Sequence, residues 1–189
     1  MKLLKNSLIA FTTVLTLTAC SDDDTPGVIN EEEVITTLTA TLTPLGGGET
    51  ITLQSKDLDG DSGPNPPVMT ISGNLTASTV YNGSIELLNE TEMPAESISE
   101  EVKEEDEDHQ FFFSSTSNLV TFSYSDEDMD GNPLGLEFTL TTSQAGTDVV
   151  TFTLRHEPNK DADGVSDGDI TNAGGETDIS ISFNNVTVQ

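Results

Sequence analysis

Cysteine occurs once in these 189 residues, at Cys20, tryptophan not at all, and lysine plus arginine only six times. Each shortage removes a class of explanation. A lone cysteine builds no disulfide framework, so the core must hold by packing, with bound metal as the one other available staple. Six basic residues against 34 acidic ones exclude nucleic acid as a partner through like-charge repulsion. With no tryptophan, and Tyr81 and Tyr124 as the only tyrosines, the exposed aromatic platform common to sugar-binding surfaces has little to be made from. No Gly-x-Ser-x-Gly, phosphate-cradling glycine loop, cysteine nucleophile or His-Glu-x-x-His helix occurs, so the chain does not read as an enzyme. Acid pairs fit for proton transfer are uninformative where carboxylates are so abundant.

Long apolar runs are absent beyond the N-terminus. Lys2 and Lys5 precede Leu8-Ile9-Ala10-Phe11 with Val14, Leu15 and Leu17, and then comes Leu17-Thr18-Ala19-Cys20. A positive head, an apolar stretch too short to span a bilayer and a small-residue cleavage site make residues 1–19 an export signal. The motif resembles a bacterial lipobox, which implies a diacylated Cys20 at the mature N-terminus and a membrane anchor of lipid alone. Residues 20–33, with Ser21-Asp22-Asp23-Asp24, Pro26 and Gly27, read as an acidic tether of the kind that routes lipoproteins to the outer face of the outer membrane; an ordinary solvated linker is the alternative. Removing the signal leaves four basic residues against 34 acidic ones, a formal charge of −30. Such a surface attracts cations.

Residues 34–189 are enough for one domain with a real core. Alternating runs at 34–42, 49–53, 67–71, 79–88, 110–114, 119–124, 134–142, 148–156 and 177–188 predict about nine strands, separated by Gly, Asn, Asp and Pro clusters. Thr and Ser hold most outward positions. The expected fold is an all-β, immunoglobulin-like antiparallel sandwich. One acidic helix or loop is expected over Pro94–Asp108, where Ile98 and Val102 share a face.

Three loops carry oxygen ligands at the spacing a hard cation needs: Asp57, Asp59 and Asp61; Asp126, Asp128 and Asp130; and Asp161, Asp163, Asp167 and Asp169. Alternate carboxylates around a glycine converge on one point, and calcium accepts six to eight oxygens. The second loop resembles the start of an EF-hand loop, but its twelfth position, Glu137, falls in a predicted strand without flanking helices. Tight acidic hairpin turns use the same residues.

His109 and His156 point to a different metal. His109 opens a strand on the face of Phe111 and Phe113; His156 closes one on the face of Val150, Phe152 and Leu154. Antiparallel neighbours bring such ends together, and two imidazoles with Glu105, Asp108 or Glu157 make a transition-metal site favouring zinc. The alternative is two unrelated histidines capping core edges. No cofactor is fixed by these residues; the candidates are zinc, calcium or both.

The stretches Asp108–Phe113, Leu154–Lys160 and Gly168–Ile179 resemble a family of small Bacteroidetes outer-membrane lipoproteins without established function. Its members sometimes carry the label of type 1 periplasmic binding domains, an α/β fold needing more chain and alternating helices than this sequence supplies. The resemblance implies association with TonB-dependent outer-membrane receptors and metal uptake. A metal-binding accessory to nutrient uptake is the functional expectation. A carbohydrate- or protein-binding surface module without metal chemistry stands beside it.

Overall fold

Thr-x-Thr alternation in the first strand sets the pattern for the whole domain. In β1 (Thr37–Pro44), Leu38, Ala40 and Leu42 are buried, while Thr39, Thr41 and Thr43 lie nearer solvent. Period-two burial on one face is what a half-covered antiparallel sheet requires. The computed structural model describes residues 33–60 and 63–189, so the signal, Cys20, nearly all of the tether and Asp61 lie outside the described residues.

Nine further strands follow: β2 (Ile51–Lys56), β3 (Val68–Ile71), β4 (Val80–Asn89), β5 (Glu96–Ser97), β6 (His109–Ser115), β7 (Val120–Tyr124), β8 (Glu137–Thr142), β9 (Gly146–His156) and β10 (Glu176–Val188). They form two antiparallel sheets. The larger has the order β3-β2-β1-β4-β8-β7 with β5 beside β4, and the smaller has β10-β9-β6. The all-β antiparallel sandwich expected from the alternation is the fold, and the strand beyond the nine anticipated is the two-residue β5.

Inward residues of both sheets meet in one core that includes Tyr81, Phe138, Phe152 and Phe183. Rings of Phe113, Phe122, Phe138 and Phe152 pack with centroids 4.9 to 6.1 Å apart, the range where edge and offset contacts are favourable. Gly83 is required within this core, because a Cβ there would overlap the Phe138 ring paired across from it.

The acidic stretch is helical over α1 (Ile98–Glu104), shorter than the 94–108 window. Ile98 and Val102, four residues apart, are its buried side chains. Burying that pair offsets the repulsion among neighbouring glutamates. Beyond the main core, Phe112 points to the other face of β6 and packs with Val165 and Ala173, which seats the 161–173 loop on that sheet. Among the described residues, no helix is long and apolar enough to cross a membrane.

Candidate metal centre

The register of the smaller sheet puts His109 directly opposite His156, the first residue of β6 against the last of β9. Their ring centroids are 4.5 Å apart with planes at 43°. Both rings are buried, His109 completely. The pairing expected from strand faces is therefore present as geometry.

The carboxylates around the pair differ from those expected. Asp178 lies with one oxygen 3.9 Å from His109 Nε2 and the other 3.7 Å from His156 Nδ1. Glu33 Oε1 is 3.5 Å from His109 Nε2. The side chains of Asp178 and Glu33 are only 6% and 9% exposed, which removes water as a ready partner for their charge. Of the three acids proposed from sequence, Glu105 joins Glu33 and His109 in a second group of close ligand atoms. Asp108 and Glu157 face solvent. What those two supply is backbone: the Glu157 N–H donates to the Asp108 carbonyl at 2.6 Å, tying the two strand ends together.

Two local irregularities deliver the missed acids. Register shifts in β10 between Thr177 and Ile179, so Asp178 is the extra residue of a β-bulge. A bulge re-aims a side chain that strict alternation would send outward. Arg155 secures the approach by donating to the carbonyls of Gly174 and Gly175 and to Thr177 Oγ1. Gly175 has φ of +66° and lies against the His156 carbonyl, where a Cβ would collide with the backbone. Glu33 belongs to the strap Glu33–Thr36, pinned to β4 when the Thr36 N–H and hydroxyl donate to the Leu88 carbonyl at 2.9 and 3.0 Å.

Protonation decides what this cluster can hold. His109 Nδ1 lies 3.0 Å from the Glu105 carbonyl, an acceptor only, so Nδ1 carries the hydrogen and Nε2 presents a lone pair. That lone pair faces carboxylate oxygens, which also only accept when ionised. His109 Nε2, Glu33 Oε2 and Asp178 Oδ2 are all buried without a hydrogen-bond partner. Acceptors facing acceptors in a desolvated site are relieved by a proton on one carboxylate or by a bound cation.

The titration shifts follow from the same arrangement. Burial, and next the charges of Asp178, Glu101 and Glu105, push Glu33 up to about 7. Burial also raises Asp178, against the opposing pull of His109, His156 and Arg155. Desolvation lowers His109 more than its contact with Glu105 raises it, so the ring is neutral and able to ligate near neutral pH. The separations of 3.5 to 3.9 Å between ligand atoms approach the about 3.4 Å edge of a tetrahedron with bonds of about 2.1 Å around zinc.

The aspartate-rich loops are arranged differently. Among the described residues, none of their aspartates joins a group of three close metal-ligating atoms. Asp128 has its own cation: one oxygen takes the buried Lys160 ammonium at 2.8 Å, and the other takes the amides of Asp130 and Asn132. Burial alone would raise Asp128, but Lys160 and those amides hold it below the usual carboxylate range. Asp126 accepts from the amides of Gly135 and Glu137. Asp59 is bound by Asn65, and Asp169 caps the turn at Thr171. Asp130, Asp161, Asp163 and Asp167 face solvent. In these loops Asp59, Asp126, Asp128 and Asp169 take local donors, as capped turns do.

No family model matches the chain, and neither does any curated protein or solved structure.

Proposed function

We propose that this chain is a metal-binding lipoprotein of the cell envelope, an accessory to nutrient uptake that holds a zinc-type transition metal between the two sheet ends. One observation carries the reading. A completely buried imidazole aims its lone pair at buried carboxylates with no donor between them. His109, His156 and Asp178 are the primary ligands, and Glu33 and Glu105 form a second group of close ligand atoms around the same His109, a nitrogen-and-oxygen supply of the kind zinc takes. The Glu105 carbonyl orients His109 from the far side of its ring, as outer hydrogen bonds do for metal-bound histidines. The anchor at Cys20, exposure on the outer membrane and a TonB-dependent receptor as partner rest on the lipobox and the resemblance of the sequence. The test is the metal content of protein purified without added metal. About one zinc per chain, absent from His109→Ala, supports the reading; metal-free protein that gains none in micromolar zinc refutes it.

A second reading is favoured by one other feature. A groove of about 560 Å³ between β6 and β7 is walled by Phe113, Phe122 and Tyr124 with Ser and Thr hydroxyls around them. Aromatic faces beside hydroxyls suit a neutral glycan or an extended peptide. Glycan titration of zinc-free protein separates this reading from the first.

A further inference from the structure

Behind Glu33 and Asp178 lies a cavity of about 490 Å³, bounded by the strap, the end of β2 and the first half of β10. Both carboxylates belong to its wall as well as to the histidine cluster, so the cavity and the metal centre share a partition. Asp57 is the third acid of the wall. Its N–H is fixed to the Thr36 carbonyl at 2.8 Å, and its Oδ1 is buried without a partner. No lysine, arginine or histidine lines the cavity among the described residues. The adjacent Lys56 is committed to Glu90. Three carboxylates in one recess, with no basic side chain among its described lining, concentrate cations and repel anions.

Asp57 is nevertheless in neither group of close ligand atoms. A carboxylate beyond ligating distance acts on an ion through its water shell, affecting arrival more than coordination. Resting on the metal reading above, we infer that the centre takes its metal as a hydrated dication through this cavity, that Asp57 draws the ion in, and that metal carried on an anionic chelate is refused. Besides its acids, the same wall offers such a chelate neutral side chains, among them Ser55, Thr177, Ser180 and three isoleucines, and no positive charge among its described residues.

Stopped-flow association of aqueous zinc with the wild-type domain, Asp57→Asn and Asp167→Asn tests this. Asp167 is an exposed acid outside the cavity. Asp57→Asn should slow association by roughly three- to tenfold at low salt, with stoichiometry unchanged and the difference shrinking as salt rises. Asp167→Asn should leave the rate within about twofold of wild type. With zinc supplied as its nitrilotriacetate complex, the rate should become independent of protein concentration, limited by chelate dissociation. Equal rates for Asp57→Asn and wild type, or equal slowing in both variants, would overturn the inference while leaving the metal centre standing. So would a second-order reaction with the chelate, and so would loss of stoichiometric binding in Asp57→Asn, which would make Asp57 a ligand. Failure of the wild type to bind zinc would instead remove the metal reading beneath it.

Discussion

Replacing Glu33 by glutamine should stabilise the metal-free protein and weaken the metal-bound one. Glu33 ionises at about 7 in the folded state against an ordinary 4.5, so the fold resists the ionised form. Where an acid is raised in this way, folded and unfolded chains are protonated alike at low pH and no cost arises. The cost accrues as pH climbs through the unfolded value and is complete above the folded one. A difference of 2.5 between those values corresponds to about 3.5 kcal/mol, at about 1.4 kcal/mol per unit. The side chain is only 9% exposed, so solvent screening reduces this modestly, to about 2–3 kcal/mol. Glutamine keeps the shape, carries no charge and gives the His109 Nε2 lone pair a donor. For a domain of this size, the thermal midpoint near pH 8 in a chelating buffer should rise by roughly 5–10 °C. Near pH 5 the gain should fall below about 1 kcal/mol, because folded Glu33 is already protonated there. With zinc in excess the ranking should reverse. A Glu33→Gln protein less stable than wild type in chelator near pH 8, or one stabilised equally at both pH values, would refute the argument that Glu33 is an orphaned acceptor.

Asp148 shows the opposite titration. Burial alone would raise it, but Ser115 and the amides of Ser117, Leu119 and Val149 hold it down to about 2. Its contribution is therefore present above the ordinary aspartate value and lost as pH falls toward 2; Asp148→Asn should cost about 3 kcal/mol in urea unfolding at neutral pH and flatten the wild-type decline in acid. Because Asp126, Asp128, Asp59 and Asp169 are engaged by local donors, calcium and magnesium at matched ionic strength should shift the midpoint equally. A larger shift with calcium would restore a specific site in those loops. Cys20→Ser should release the protein from the membrane fraction or block its maturation, and normal processing with membrane retention would contradict the lipobox reading.

The sandwich was legible because its strands obey one rule over long stretches: apolar inward, Thr or Ser outward. The histidine pair was legible for the same reason. His109 and His156 both continue an apolar alternation to its end, and antiparallel pairing then places one end against the other. Of the carboxylates, Glu105 was legible beside His109, but Asp178 and Glu33 were not, since each depends on a break in the rule. By alternation, Asp178 falls with Ser180 and Ser182 on the outer face, and the bulge after Thr177 turns it inward. Glu33 reads as the last residue of an acidic tether, and its descent onto His109 is set by the hydrogen bonds of Thr36, one turn of chain later. One signal was available for Asp178, the Gly174-Gly175 pair ahead of it, which permits irregular backbone but does not say which side chain will turn. The loop aspartates are ambiguous in sequence for a related reason. Calcium loops and capped turns draw on the same Asp, Asn and Gly, and the presence of Lys160 beside Asp128 is a tertiary fact, 32 residues away in sequence.

Calorimetric titration of zinc into the chelator-stripped domain and into the His109→Ala/His156→Ala double variant, near pH 7.5 and again near pH 5.5, tests the metal centre most directly. One site per wild-type chain is expected near pH 7.5, with proton release as Glu33 ionises. Binding should weaken markedly near pH 5.5, as Glu33 takes up its proton, and most affinity should be lost in the double variant while its strand content is retained. Zinc binding that is unchanged in the double variant, or indifferent to pH across that interval, would contradict the proposed centre.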